Sequence, residues 1–302
     1  MARRPPTGGP LPLPGGLQIA VDAETERRQR LYRVSAIVLK RRDMGEADRL
    51  LTVLTRERGK LTLLAKGVRR PASRKAGHIE PFTVVDLLVA RGRTFHIVTQ
   101  AETLEAHRPL RENLWLSAWA YYVAELVDAF VQDEDPHDLL FELLGEALDH
   151  LSNAADPALV TRYFELHLLG LVGFQPQLFR CVECDQLLKP EVNFFSLESG
   201  GVFCPKHGSN RAGTAALPLP ELKVLRFLQT RSWEQVAQLK LSPAVAEHVE
   251  DLLAQFITHQ LERKVRSAAF LDRLREQTAR PAPSGRAEIA ASAEPDGATS
   301  PL

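Results

Sequence analysis

The feature that most restricts the fold of this 302-residue chain is a change of hydrophobic period at Pro109. Before it, five short runs rich in β-branched and aromatic residues lie between Leu31 and Ala106, and Gly59 and Gly92 mark two of the turns between them. After it, apolar residues recur with the spacing of buried helices. The sequence therefore predicts an α+β protein, in which a strand-rich module precedes an all-α one.

The strand-like runs have the size of a small barrel. They cover Leu31–Arg42, Leu50–Thr55, Lys60–Lys66, Phe82–Ala90 and Thr94–Ala106. Five strands in about 75 residues match an OB-type barrel in length and strand number. We therefore predict a five-stranded OB-fold barrel.

The domain organisation follows from composition and from helix-start signals. Three pairs combine an N-cap residue with proline at the first helical position, and each predicts the start of a helix. These pairs are Asp135-Pro136, Asp156-Pro157 and Ser242-Pro243, the last at the start of a helix that is predicted to continue to Val265. The first 30 residues are rich in Pro and Gly, residues 281–302 are rich in Pro, Ala and Ser, and both ends are predicted to be disordered. The predicted units are an extension at 1–30, the OB fold at 31–108, a helical domain at 109–177, an insertion at 178–212, the rest of the helical domain at 213–280 and a tail at 281–302.

The predicted insertion carries paired metal-ligand spacing. Cys181 and Cys184 form a CxxC, Cys204 and His207 form a CxxH, and nineteen residues separate the two pairs. Three thiolates and one imidazole suit a structural, four-coordinate zinc site in a small zinc-finger-like insertion. Unpaired thiols are the alternative. The deaminase pattern of catalytic zinc is not met, because the CxxC is not preceded by proline.

Charge is distributed unevenly along a neutral chain. Residues 31–107 carry a net charge of +7, whereas residues 113–180 carry −9. The stretch Gly59–His78 has six basic residues and no acid, which is typical either of a solvated loop or of a surface for a polyanion. The candidate DNA contacts are Lys40, Arg41, Arg42, Lys60, Lys66, Arg69, Arg70, Arg74 and Lys75.

These cations predict a phosphate-tracking groove with little sequence specificity. Base stacking is poorly supported, because Tyr32, Phe82 and Phe95 all lie in predicted strands, where core packing is the default.

No catalytic residue is predicted. The sequence contains no phosphate-binding loop and no nucleophile elbow. The acidic run Asp133–Asp135 suggests a nuclease metal site, but a solvated turn that caps a helix is the favoured interpretation. No apolar run approaches the roughly 18 residues of a membrane span, so a cytoplasmic protein is expected.

A family resemblance rests on several of these segments. The stretch "AIVLKRRDMGEADRLLTVLTRERGKLTLLAKGVRRPASR" closely resembles the opening domain of bacterial RecO recombination mediators. The likeness continues through "LLGLVGFQPQLFRCVEC", "FFSLESGGVFCPKH" and "HQLERKVRSAAFLDRL" in the family's order. It implies an OB fold, a helical domain and, in many members, a zinc-binding insert. Those members commonly carry four cysteines, whereas His207 stands at the fourth position here.

The resemblance also implies a function and partners. It implies binding of single- and double-stranded DNA, annealing of complementary strands, and cooperation with RecR and RecF in helping RecA displace single-stranded DNA-binding protein at the nucleoid. A helical-domain site for that protein's acidic tail conflicts with the negative charge of residues 113–180. A basic C-terminal helix is the alternative site, with Arg263, Lys264, Arg266, Arg273 and Arg275. The alternative hypotheses are that the protein is a nuclease or a general OB/zinc binding module outside recombination.

Overall fold

The computed structural model describes residues 30–279. Apart from residue 30, the two predicted disordered ends lie outside the described residues. The strands of the first part are β1 (Leu31–Met44), β2 (Asp48–Thr55), β3 (Gly59–Ala65), β4 (Val84–Ala90) and β5 (His96–Glu105). All five predicted strands are present, with ends that differ from the prediction by a few residues.

These strands form a closed, OB-like sheet. β1 pairs antiparallel with both β2 and β4, β2 pairs with β3, and β4 pairs with β5. The circle is completed by a short parallel pairing of β3 with β5, which gives the order β1-β2-β3-β5-β4. The predicted five-stranded, OB-like sheet followed by helices is confirmed.

Among the described residues, the helical part contains six helices of more than two turns. They are α1 (Leu114–Phe130), α2 (Asp138–Ser152), α3 (Pro157–Leu171), α4 (Leu219–Thr230), α5 (Pro243–Leu261) and α6 (Arg266–Ala279). Between α3 and α4 lies a three-stranded sheet of β6 (Asn193–Ser196), β7 (Gly201–Phe203) and β8 (Thr214–Leu217), with β6 in the centre. Within the described range, no helix is both long and apolar enough to cross a membrane.

Two apolar cores hold these parts together. One fills the barrel and includes Val38 and Leu51. The other runs through the helices and also includes Ile37 and Leu54 from the outer barrel wall, together with the fully buried Trp119 of α1. Because the barrel wall contributes to the helical core, separating the two parts would expose apolar surface.

A β-bulge in β1 reverses the alternation of its side chains. The register with β2 shifts between Val38 and Lys40, so Leu39 is an extra residue. Upstream, Val38 faces the barrel interior while Ile37 faces the helical core. Downstream, Lys40 faces the helices instead of the interior, and each later residue of β1 follows this reversed pattern.

The predicted helix starts have different outcomes. The prediction at Asp156 is confirmed, because its carboxylate accepts a hydrogen bond from the Leu159 N–H at 3.1 Å. The prediction at Asp135 is wrong, because α2 begins only at Asp138. Residues 131–136 instead run beside β3, where the Glu134 N–H donates to the Lys60 carbonyl at 2.9 Å. This tertiary pairing overrides the local capping signal.

Gly59 makes that pairing possible. It has φ +65°, and a Cβ placed on it would lie 2.0 Å from the Asp135 carbonyl oxygen. Gly59→Ala is expected to lower the free energy of unfolding by about 3 kcal/mol, because it combines backbone strain with a main-chain clash. Gly45→Ala is the matched control: Gly45 has φ +60°, but nothing lies within 4 Å of its Cβ position. Urea unfolding of both variants should show a much larger loss at Gly59, and equal losses would contradict this packing.

The chain breaks between α5 and α6. Glu262 has φ +52° and ends α5, whereas the sequence predicts a helix that continues to Val265. The predicted basic C-terminal helix is present as α6, but only Arg266, Arg273 and Arg275 lie on it, whereas Arg263 and Lys264 lie in the connection. The start of α6 is fixed by Glu125 of α1, whose carboxylate accepts from the backbone N–H groups of Arg266 and Ser267.

A buried ionic network ties four helices together. Arg162 and Glu165 of α3 form an ion pair at 2.7 Å, and Tyr122 of α1 donates to Glu165 at 2.6 Å. Glu250 of α5 lies between Arg162 and Arg275 of α6, at 3.3 and 2.7 Å. The Glu165 side chain is completely buried, so its charge depends on these partners.

Candidate metal centre and nucleic-acid interface

The four sequence-predicted ligands come together in one cluster. The thiol sulfurs of Cys181, Cys184 and Cys204 and a ring nitrogen of His207 all lie within 4.8 Å of one another. His207 Nδ1 is 3.3 Å from Cys204 Sγ and 3.7 Å from Cys181 Sγ. When ligand atoms lie about 2.0–2.3 Å from one tetrahedral ion, their separations from one another are close to the two distances measured here. The cluster can therefore hold a metal ion.

Two tight backbone segments position these ligands. On one side, the Asp185 N–H donates to the Cys181 carbonyl at 2.9 Å, and Asp185 takes the left-handed conformation at φ +56°. On the other, a single helical turn at Pro205–Gly208 presents His207, whose N–H donates to the Cys204 carbonyl at 3.0 Å. The two segments meet through β7, which follows the turn at Gly200 and leads into Cys204, because the Val182 N–H donates to the Val202 carbonyl at 3.0 Å.

The environment favours the thiolate of Cys181. Burial raises its pKa, but hydrogen bonds from the backbone N–H groups of Cys204, Cys184 and Glu183 and from His207 outweigh burial and lower the pKa to about 6. Burial raises the pKa of Cys204. Thiolates are the metal-binding form of cysteine, so the lowered pKa of Cys181 favours metal binding.

A second group in the described part of the chain also has metal-ligand chemistry. It consists of Glu105, His107 and Asp149. The His107 Nδ1–H donates to the Phe82 carbonyl at 2.7 Å, and Nε2 lies 2.8 Å from an Asp149 carboxylate oxygen. This hydrogen-bonded pair links the end of the barrel to α2, which gives it a structural role.

The basic stretch Gly59–His78 comprises β3 and the folded loop that follows it. Val68 and Ile79 of this loop are completely buried in the barrel core. The Gly67 N–H donates to Asp48 at 2.7 Å, and the Lys75 ammonium donates to the Val98 carbonyl at 2.9 Å. The loop backbone is thus fixed across one end of the barrel, and its exposed side chains have a rigid support.

The nine candidate cations have different environments. Lys66, Arg70 and Arg74 are exposed and form no ion pair within the described range. Arg69 lies near Asp43 at 3.4 Å, and burial lowers the pKa of Lys75, which serves to fix the loop. The three exposed side chains are therefore the most accessible contacts for an anion.

Lys60 has a structural position. Its ammonium donates to the Asp128 carbonyl at 2.9 Å and lies 3.3 Å from an Asp133 carboxylate oxygen. Its side chain is only 12% exposed. Lys60 thus secures the helical part to β3 and presents little of its charge to solvent. Asp133, which the nuclease reading would use as a metal ligand, is engaged in this contact.

The β1 cations do not line one groove. Lys40 faces α1 and pairs with Asp128 at 2.5 Å. Arg41 lies on the opposite side of the strand, where it pairs with Glu80. Arg42 is exposed and shares the side of Lys40, because the β-bulge reverses the alternation. Lys40, Arg41 and Arg42, which were predicted to line one groove, thus lie on two faces of the β1–β2 hairpin.

Sequence reasoning missed a basic, aromatic pocket at the other end of the barrel. Tyr32, which the sequence assigns to core packing, lines this pocket together with Arg58, Arg91 and His96. The signal available in the sequence was weak: Tyr32 begins a strand, and the two arginines lie in turns far apart along the chain.

Comparisons with known proteins cover both parts of the chain. A family model described as "Recombination protein O N terminal" matches residues 29–107. A second, described as "Recombination protein O C terminal", matches residues 111–269. The second match includes the Cys/His cluster and all of α1 to α5.

Individual relatives match over most of their lengths. A protein named DNA repair protein RecO from Roseiflexus sp. (strain RS-1) is 42% identical over 264 residues, which cover 85% of this chain and 92% of the relative. Proteins of the same name from Pelotomaculum thermopropionicum and Dehalococcoides mccartyi (strain ATCC BAA-2266 / KCTC 15142 / 195) are 36% and 34% identical, over 86% and 80% of this chain and 100% and 96% of their own lengths. With both family models matched and relatives aligned almost end to end, the chain belongs to the RecO family.

Proposed function

We propose that this chain is a non-enzymatic recombination mediator in DNA repair. In this proposal it binds single- and double-stranded DNA, anneals complementary strands and, with RecR, helps to load RecA. The observation that carries the proposal is the combination of RecO family membership with three exposed cations on a rigid loop. Such cations screen phosphate repulsion without needing a nucleotide cofactor.

The mode of DNA binding follows from the loop. Lys66, Arg70 and Arg74 project from a backbone that is fixed at Gly67 and Lys75. Point charges on a rigid support contact phosphates rather than base edges, so binding depends on salt and little on sequence.

Removing these three charges tests the proposal. Each phosphate neutralised on a single strand contributes about −0.7 to the log–log slope of affinity against salt. The triple replacement of Lys66, Arg70 and Arg74 by Gln should therefore flatten that slope by about 2 and weaken binding equally for all sequences. Annealing of complementary oligonucleotides should slow in parallel.

A matched control removes the same charge elsewhere. Lys223, Arg231 and Lys240 are exposed cations of the helical part, and their triple Gln variant should keep the slope and the annealing rate of the parent. If the loop variant and this control lose affinity equally, the DNA path does not cross the loop.

We also propose that the ion held by the Cys₃His cluster is a structural Zn²⁺. Three sulfurs and one imidazole nitrogen form a donor set that zinc prefers. All four protein ligands are accounted for, so the ion would hold the insertion together and take no part in a reaction.

The proposed protein partners are RecR and, less directly, RecF and single-stranded DNA-binding protein. The acidic tail of single-stranded DNA-binding protein could contact the exposed cations Arg263, Lys264 and Arg273. Retention of RecR on the immobilised chain separates the mediator from a general OB/zinc binding module. Metal-dependent cleavage of DNA, lost on replacing Asp133 or Asp135, would favour the nuclease alternative instead. The proposed location is the cytoplasm, at the nucleoid.

A further inference from the structure

A cavity of about 520 Å³ opens at the end of the barrel opposite the basic loop. It lies where β1, β4 and β5 meet the β2–β3 turn, and residues 134–136 of the helical part close one side. Its volume is within the range of small-molecule sites. The Tyr32 pocket, as we name this cavity, is lined by Tyr32, Arg58, Arg91 and His96 on its barrel side.

The centre of the Tyr32 pocket is a stack of planar groups. The Arg58 guanidinium carbon lies 4.4 Å from the centre of the Tyr32 ring, and that of Arg91 lies 5.6 Å from it. The Tyr32 hydroxyl is hydrogen-bonded to His96 Nδ1, and the two rings meet edge to face. Within the described residues, neither guanidinium forms an ion pair with a carboxylate. Two planar cations next to an aromatic ring form a surface on which a flat heterocycle can stack.

The opposite wall of the Tyr32 pocket, at residues 134–136, is fixed by hydrogen bonds and an ion pair. The Glu134 N–H donates to the Lys60 carbonyl, and the Lys60 ammonium binds Asp133. At Gly59, β3 lies so close to this wall that a Cβ would come within 2.0 Å of the Asp135 carbonyl oxygen. The wall is therefore held by both backbone and side-chain contacts, and the pocket does not depend on the ligand for its shape.

Two carboxylates refine the chemistry of the Tyr32 pocket. Glu57 and Glu134 line it, so the cavity is not a simple anion site. Arg33, also in the lining, is paired with Asp86 at 2.7 Å. Carboxylates accept hydrogen bonds from the exocyclic amino groups of nucleobases, while the free guanidiniums suit a phosphate. A nucleobase with its backbone phosphate satisfies both sets of groups.

We propose that the Tyr32 pocket binds one unpaired nucleobase of a single-stranded nucleic acid, stacked on the Tyr32–Arg58 pair with its phosphate near Arg91. The inference rests on the proposed DNA-binding function and adds a site that prefers single strands. A base within a duplex is stacked and paired and cannot enter without flipping out of the helix. The basic loop would then bind any phosphate backbone, whereas the Tyr32 pocket would recognise unpaired strands.

Affinity measurements on three variants test the pocket. Stacking of a base is lost in Tyr32→Ala, so binding of a short single strand should weaken about tenfold while binding of a blunt duplex stays unchanged. Tyr32→Phe keeps the ring and should bind like the parent. Arg58→Gln leaves the barrel core intact and should also weaken single-strand binding selectively, so it serves if Tyr32→Ala unfolds. Tyr121→Ala, at an exposed tyrosine of α1, is the matched control and should have no such effect.

Photo-cross-linking locates the base directly. A single strand carrying 5-iodouracil should attach to the Tyr32 or His96 peptide on irradiation. If the parent binds DNA but both pocket variants retain full single-strand affinity and cross-links map elsewhere, the pocket proposal is wrong. If the parent binds neither single strands nor duplexes, the proposed DNA-binding function itself fails.

Discussion

Replacing Cys181 by serine should reduce bound zinc from about one ion per chain to almost none and should markedly lower the stability of the insertion. Cys181 is buried at the centre of the cluster, where it contacts His207 and receives the Cys204 N–H. A ligand that binds only the folded state stabilises it by about 4 kcal/mol when its free concentration is a thousand times its dissociation constant. Loss of the site should remove a contribution of this size.

Metal analysis and urea unfolding, with and without a chelator, measure these effects. The chelator should destabilise the parent and leave Cys181→Ser unchanged, since the variant has no ion to lose. His259→Ala, at an exposed histidine of α5, is the control and should keep both metal and stability. A metal-free parent of equal stability, with three freely reactive thiols, would show that the cluster is not a metal centre.

The second large effect is expected at Glu165. Above pH 7, where Glu165 is ionised, Glu165→Ala leaves the buried Arg162 guanidinium without its closest carboxylate, and breaking such a pair costs about 3–5 kcal/mol. This is a large part of the total stability of a typical domain. Glu247→Ala, at an exposed carboxylate of α5, should change the free energy of unfolding by less than about 0.5 kcal/mol.

The same residue should give the folded state a pH dependence. Burial raises the pKa of Glu165 from 4.5 to about 7, against the opposing effects of Arg162 and Tyr122. The folded state therefore binds this proton more tightly than the unfolded chain. The contribution of this proton to the free energy of unfolding is fully present below about pH 4.5. It is lost as the pH rises to about 7, which lowers the stability by on the order of 3 kcal/mol.

Glu165→Gln isolates this contribution. The amide resembles the protonated acid, so the stability of the variant should not decline between pH 4.5 and 7 in the way that of the parent does. Urea unfolding at several pH values measures the difference. Parallel curves for the parent and the variant would mean that Glu165 stays charged in its pair with Arg162.

The elements and the metal cluster were predictable because their signals are local. Strand and helix periods differ, and the CxxC and CxxH spacings are themselves typical of a metal site. The Asp135 prediction failed because the capping signal competes with pairing to β3, which no local pattern shows. The end of α5 was missed for a similar reason: Glu262 takes a left-handed conformation with no glycine to indicate it.

The nucleic-acid surface was only partly predictable, because a charge does not specify its partner. Lys60 and Arg70 look equivalent in the sequence, but Lys60 meets carboxylates that are about 70 residues away along the chain. Lys40 and Arg41 are neighbours, but the bulge places them on opposite faces. Tyr32 looked like a core residue, since only the closed sheet brings Arg58 and Arg91 to its ring.

The closure of that sheet has a consequence for its motions. β1–β2 and β4–β5 are long antiparallel ladders, whereas β3 and β5 join only at Leu63–His96 and Leu64–Ile97. Local opening requires least free energy where the fewest backbone hydrogen bonds must break. We therefore expect the barrel to open most readily at this seam. Because His96 belongs both to the seam and to the Tyr32 pocket, each opening would briefly widen the mouth of the pocket.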